Sequence, residues 1–164
     1  MQRKIILTAE QSKMKLRRMA FQIEEHNRGV GEIYLMGIRE SGFLIAQLLG
    51  AMITELTTLN VQVHPVVIDK RSPLHCTLAS DLDIKDRTIV LIDDVVNSGK
   101  TMLYALLPIL NASPKNVQTL TLVERSYKTF PVHVDYVGIS LSTTLHDHIT
   151  VDIQPGQLPE AFLH

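Results

Sequence analysis

Short aliphatic runs alternate along this chain with stretches whose apolar residues recur every three or four positions. Ile89 to Ile92 is aliphatic and lacks polar alternation, as expected of a strand covered on both faces of a parallel sheet, and Ile33 to Met36 and Val117 to Val123 read as further buried strands. Val61 to Ile68 and Val134 to Ser140 are further β-rich runs, and Ile149 to Ile153 reads as an edge strand after a polar turn. Helical spacing appears in three places: Leu16, Met19, Ala20 and Ile23; Ile45, Leu48, Leu49, Met52, Ile53 and Leu56; and Leu103, Leu106, Leu107 and Leu110. Thr8 to Gln11 has capping-box spacing for the first helix, which should end near Asn27-Arg28-Gly29. Pro108 should kink the third helix or end it early. Residues 155–164 look like a tail. Three or four strand-loop-helix units imply an α/β fold, a single-domain open, mostly parallel sheet flanked by helices, with ligand bound at the C-terminal ends of the strands.

The 164 residues and 45% hydrophobic content suit one domain over 1–164 with a real core and no linker. Sixteen basic residues against 17 acidic ones give a net charge of −1, so no global field draws nucleic acid or a membrane surface. Lys13, Lys15, Arg17 and Arg18 lie mostly off the first helix's apolar stripe and read as a solvated face. No apolar run approaches the ~20 residues of a membrane span. Residues 1–8 lack an apolar core of signal-peptide length, and the lone Cys76 fits a reducing compartment, so a cytoplasmic location is expected. With no basic or acid partner evident, Cys76 reads as a passive loop thiol.

The chemistry concentrates after the third strand. Asp93 and Asp94 sit where that strand should end, and two like charges ~4 Å apart repel by ~4 kcal/mol at an effective dielectric of ~20. A divalent cation, or a polyol whose hydroxyls donate charge-assisted hydrogen bonds, would relieve this. Asn97, Ser98, Gly99, Lys100 and Thr101 then place small, hydroxyl-bearing and cationic groups around a glycine before a helix, the make-up of a phosphate cradle. A Walker A loop would need a glycine five positions before Gly99, where Asp94 stands. His146-Asp147-His148 lacks a third spaced ligand and reads as a polar turn rather than a metal site.

The segment from Thr88 to Thr101 resembles the phosphoribosyl-pyrophosphate signature of type I phosphoribosyltransferases: a hydrophobic strand, then Asp-Asp-Val-x-x-Thr-Gly-x-Thr, with Ser98 in place of the first threonine. The resemblance implies that Asp93 and Asp94 hold the ribose hydroxyls, and touch Mg²⁺ only through ribose or water. It also implies that residues 97–101 wrap the 5′-phosphate, with Val95 and Val96 among the substrate-binding residues. Gly37, Ile38, Arg39, Glu40, Ser41 and Gly42 correspond to the pyrophosphate loop, with Arg39 its basic side chain. Residues 70–83 correspond to a flexible loop that closes over the substrate, with Arg71 near its start. Phosphoribosyl pyrophosphate and a nucleobase are the implied substrates, Mg²⁺ the implied cofactor and a homodimer or higher homo-oligomer the implied assembly.

Leu122-Val123-Glu124-Arg125, Pro131 and Asp135-Tyr136-Val137-Gly138 narrow the resemblance to the pyrimidine-operon regulator and uracil phosphoribosyltransferase subgroup. There Val137, Gly138 and Ile139 would line the base. Ser41 replaces an arginine of that subgroup, Glu40 adds a negative charge, and the closing loop is shorter; a donor- or nucleotide-sensing member without turnover is the alternative. Asn97 stands where purine enzymes carry a proton-exchanging carboxylate, which points to a pyrimidine. Phe21, His133 and Ile139 replace RNA-facing basic or histidine positions, and only Lys128 keeps its charge, so RNA is not an expected partner.

Overall fold

The computed structural model describes residues 3–69, 75–144 and 147–164. In chain order the elements are β1 (Lys4–Leu7), α1 (Ala9–His26), β2 (Glu32–Ile38), α2 (Arg39–Leu56), β3 (Asn60–Asp69), β4 (His75–Thr77), β5 (Thr88–Val96), α3 (Lys100–Asn111), β6 (Asn116–Arg125), β7 (Tyr136–Leu141), β8 (Ile149–Asp152) and β9 (Glu160–Leu163). The main sheet has the order β4-β3-β2-β5-β6-β7. Its five strands from β3 to β7 are parallel, and β4 adds antiparallel to β3.

The chain leaves β2 through α2 to reach β3 on one side, then restarts at β5 and leaves through α3 to reach β6 on the other. Those two departures send the helices to opposite faces. Ile45, Ala46, Leu49 and Ile53 of α2 join Leu16, Met19, Ala20 and Ile23 of α1 over Ile33, Leu35, Val90 and Ile92. Met102, Ala105 and Ile109 of α3 cover Tyr34, Met36, Ile89 and Leu91 on the reverse face. Alternate residues of β2 and β5 thus feed two separate cores, which is why neither run shows polar alternation. The reversal of direction between β2 and β5 opens a crevice at their C-terminal ends.

The start of α1 is as its spacing predicts: the Gln11 amide donates to Thr8 Oγ1 at 3.3 Å and the Thr8 amide to Gln11 Oε1 at 2.9 Å. Its end is locked to the sheet. The C-cap Asn27 donates to the Ile23 carbonyl at 2.7 Å and exchanges amide hydrogen bonds with Gln118 at 3.0 and 2.9 Å, while the Tyr136 hydroxyl donates to Gln118 at 2.8 Å. Burial, then the Asp135 charge, pushes the Tyr136 phenol up to about 12, so it remains a donor.

Four expectations need correction. Residues 155–164 are not simply a tail: β9 is the central strand of a three-stranded antiparallel sheet, β1-β9-β8, with Ala161 and Phe162 buried. Cys76 lies in a strand, not a loop, paired with Ile68. Residues 37–42 form no extended loop, because β2 runs to Ile38 and α2 starts at Arg39. Finally, of the two outcomes expected at Pro108 the early end does not occur, since α3 runs on to Asn111. The packing of Met102, Ala105 and Ile109 holds the helix together despite the lost backbone bond. Pro108→Ala should therefore stabilise the protein by about 2 kcal/mol, the ~3 kcal/mol helix cost of proline less the ~1 kcal/mol it saves by restricting the unfolded chain. A raised urea midpoint at unchanged slope is the expected result.

Candidate active site

The pairing of β2 with β5 ends at Gly37↔Ile92, whereas β5 continues to Val96 along β6. Asp93 and Asp94 therefore lie inside a strand rather than after it, and residues 93–96 have no strand neighbour on the β2 side. Into that gap comes the first turn of α2. Its approach is close enough that a Cβ on Gly42 would lie 2.8 Å from the Ile92 carbonyl oxygen. Arg39 turns the chain from strand to helix with a left-handed φ of 59°, a conformation that costs a non-glycine residue of order 1 kcal/mol or more.

A pocket of about 220 Å³ opens here, lined by Arg39, Asp93, Val95, Val96, Asn97, Ser98, Gly99, Thr101 and Met102. Two stretches far apart in sequence, the start of α2 and the run from β5 into α3, thus meet at one cavity. Asp93 is only 3% exposed, and its carboxylate accepts the Asp94 amide at 3.0 Å. Burial holds its pKa well above the ordinary carboxylate range, with the Asp94 charge and an Asp94 side-chain hydrogen bond acting the same way; the Arg39 guanidinium pulls in the opposite direction but does not prevail. Among the described residues neither carboxylate of the doublet forms a salt bridge.

On the opposite wall, Gly99 caps α3 with a left-handed φ of 83°. A helix leaves its first four amides without internal acceptors. Ser98 Oγ takes that of Lys100 at 3.3 Å, and no side chain caps the turn from the glycine itself. Phe130 donates its amide to the Ser98 carbonyl at 2.9 Å, and Val132 packs so closely that a Cβ at Gly99 would sit 2.6 Å from its Cγ1. The turn is thus clamped from behind. Arg39 Nη2 reaches Thr101 Oγ1 at 3.4 Å, bridging the two helix starts.

The other expected site residues are placed differently. Gly37, Ile38 and Gly42 are buried behind the pocket, Ser41 and Asp94 are half-buried off its wall, and Glu40 and Lys100 face solvent. Val137, Gly138 and Ile139 lie in β7, two strands from the doublet. Arg71 lies outside the described residues. Lys128 is bound to Glu124 at 2.7 Å, with both side chains about 15% exposed. Arg18 is exposed, as a solvated face requires, but its guanidinium also donates to the Val137 and Gly138 carbonyls at 2.9 and 3.0 Å. Met102 and Arg18 were missed because each sits in a helical pattern that core or solvent already explains.

No group of three or more His, Cys, Asp and Glu residues among the described residues could cage a metal. His146 lies outside them, and the Asp147 carboxylate accepts from the amide and hydroxyl of Thr144 at 2.7 and 2.8 Å. Burial pushes the Cys76 thiol up, in keeping with an inert side chain. No described helix is long and apolar enough to cross a membrane.

Comparison with known proteins agrees with this geometry. Residues 2–156 match the phosphoribosyl transferase domain family. The bifunctional protein PyrR of Clostridium novyi is 32% identical over 157 residues, covering 90% of this chain and 88% of the relative. That of Haemophilus ducreyi is 30% identical over 158 residues, with 90% and 88% covered. Among solved structures, a hypoxanthine-guanine phosphoribosyltransferase from Bacillus anthracis superposes with a TM-score of 0.78 at 19% identity, over 97% of this chain and 96% of that one. The Trypanosoma cruzi hypoxanthine phosphoribosyltransferase in complex with IMP gives 0.76 at 17%, over 84% and 80%. The fold, the strand-loop-helix signature and the family match together establish that the chain belongs to the phosphoribosyltransferase family of enzymes.

Proposed function

We propose that this enzyme transfers the phosphoribosyl group of phosphoribosyl pyrophosphate to a pyrimidine such as uracil, releasing pyrophosphate. The observation that carries the reading is the meeting of Asp93, Arg39 and the Asn97–Thr101 turn around a single pocket. The chemistry is substitution at the anomeric carbon: a bond to the base nitrogen forms as the bond to the pyrophosphate oxygen breaks. Asp93 and Asp94 accept hydrogen bonds from the ribose hydroxyls, which supply the positive partners their mutual repulsion lacks. The first turn of α3, with the Ser98 and Thr101 hydroxyls, binds the 5′-phosphate. Arg39 and the first-turn amides of α2 face the pyrophosphate and stabilise the charge that develops on it. These groups bind and orient the reactants at fixed positions, which is the protein's main contribution.

The donor set fits Mg²⁺, which characteristically takes one or two carboxylates and completes its shell with phosphate oxygens and water. Asp93 and Asp94 would hold it through ribose or water, and its charge would lower that borne by the leaving group. For the base, Asn97 on the pocket wall carries an amide that cannot exchange a proton at neutral pH, which supports a pyrimidine over a purine. The pyrimidine reading draws further support from the PyrR relatives matching along nearly the whole chain at about 30% identity, against 19% or less for the hypoxanthine enzymes. Val137, Gly138 and Ile139 line the base side. The engagement of Lys128 by Glu124 argues against an RNA partner, since its charge is already neutralised within the protein.

Two measurements test the reading. Calorimetric titration with phosphoribosyl pyrophosphate in Mg²⁺ should give saturable heat, and label from radioactive uracil should appear in a nucleotide. No heat at millimolar donor removes the donor site; turnover of hypoxanthine in place of uracil removes the pyrimidine assignment alone.

A further inference from the structure

One rung is missing from the sheet in two ladders at once. Pairing of β5 with β6 is continuous from Thr88↔Asn116 to Asp93↔Thr121 and resumes at Val95↔Val123. Pairing of β6 with β7 breaks between Thr121↔Val137 and Val123↔Ile139. The absent rung is the same in both: Asp94, Leu122 and Gly138. At Gly138 the strands approach so closely that a Cβ would lie 2.3 Å from the Leu122 carbonyl oxygen. Across Asp93 and Asp94 the alternation of β5 slips by one step, with Val90, Ile92 and Val95 on one core and Ile89, Leu91 and Val96 on the other. A regular strand would send neighbouring side chains to opposite faces. Here the Asp94 amide donates to the Asp93 carboxylate at 3.0 Å.

Carbonyls along this row take side-chain donors. Thr121, fully buried, donates its single hydroxyl proton to the Asp94 carbonyl at 3.1 Å, shared with that of Val123 at 3.0 Å. At the far end Arg18 Nη2 holds the Val137 and Gly138 carbonyls, while its Nη1 is steadied by Gln22 Oε1 at 3.1 Å.

We propose that Thr121 and Arg18 are positioning residues that hold this broken rung, Thr121 fixing the doublet on the donor side and Arg18 fixing β7 on the base side. The inference rests on the donor and base sites proposed above. Neither side chain lines the pocket; Thr121 acts through the backbone that carries the doublet and Arg18 through the backbone of β7. Valine matches threonine in shape and strand preference but cannot donate, so Thr121→Val removes the hydroxyl while keeping the packing.

Donor binding is read by calorimetry in Mg²⁺, base use by uracil kinetics and folding by the thermal midpoint. Thr121→Val should weaken donor binding about tenfold with the midpoint within a few degrees of wild type, and Thr121→Ser should restore it. Arg18→Gln should raise the KM for uracil about tenfold and leave the donor Kd within twofold. A Thr121→Val protein that binds donor as wild type does, or serine that fails to rescue, overturns the inference at the donor end. An Arg18→Gln protein whose donor Kd suffers as much as its uracil KM overturns it at the base end. Absence of heat from the wild type itself removes the donor site and this inference with it, whereas wild-type heat with an unaltered Thr121→Val titration removes the inference alone.

Discussion

Asp93→Asn is expected to make the protein more stable and its hold on the sugar donor far weaker. Asp93 is 3% exposed, and burial is the largest influence holding its pKa above the ordinary range, with the Asp94 charge second. A carboxyl group whose folded pKa exceeds its unfolded one binds more protons folded than unfolded across that interval. Stability therefore falls as pH rises from the ordinary aspartate range through the raised value, at up to ~1.4 kcal/mol per pH unit. Asparagine carries no such dependence and can still accept the Asp94 amide through its oxygen. The variant should match the wild type at acid pH and outlast it in urea at pH 7 to 8, the difference opening as pH rises. Donor binding goes the other way. Hydrogen bonds to a charged group contribute about 1.5–3 kcal/mol each, so losing the charge should weaken the donor by about a hundredfold or more. Urea midpoints across the pH series and calorimetry with donor check the two halves separately. A variant less stable than wild type at pH 8 would show that the ionised Asp93 is held by its own protein rather than left for a ligand.

The same tension explains why this part of the site was legible in the sequence. Two adjacent acids after an aliphatic run are costly enough to demand a partner, and a glycine flanked by hydroxyls before a helix leaves amides that need an anion. The capping box at Thr8 and the aliphatic strands were equally plain, because each is a local signal that tertiary packing did not overrule. What escaped was non-local. Glu160 to Leu163 is too short for any period to show, and becomes a strand only because β1 and β8 flank it. Arg18 looks solvated along its own helix, and its carbonyl partners lie more than a hundred positions away. Thr121 reads as one more strand residue, because nothing local shows that its hydroxyl reaches the Asp94 carbonyl on the neighbouring strand. The stretch from Gly37 to Gly42 read as a loop, yet paired glycines suit a tight strand-helix junction equally well.

That ambiguity makes Gly37→Ala the most discriminating single substitution in the fold. If the stretch were a loop, alanine would cost a few tenths of a kcal/mol, as most surface substitutions do. In the structure a Cβ on Gly37 would lie 2.3 Å from the Phe43 Cα and 2.5 Å from both the Phe43 amide nitrogen and the Gly42 carbonyl oxygen. All three are backbone atoms, so no side chain can rotate away, and α2 must lift off the sheet. Overpacking of this kind costs about 3 kcal/mol, or roughly 6–12 °C in melting temperature for a domain of this size. Gly42→Ala poses the same question with opposing local preferences. Helix propensity alone favours alanine by about 1 kcal/mol, yet its Cβ would meet the Ile92 carbonyl at 2.8 Å and the Asp93 Cα at 3.4 Å, so contact with the sheet decides the sign. Lifting α2 also carries Arg39 away from Thr101 and Asp93, so Gly37→Ala should lose donor binding even in the fraction that stays folded. Circular-dichroism melts and donor calorimetry on the same sample separate the two effects. A melting temperature within about 2 °C of wild type would mean that strand and helix do not meet at this junction, and that Arg39 reaches the pocket by some other path.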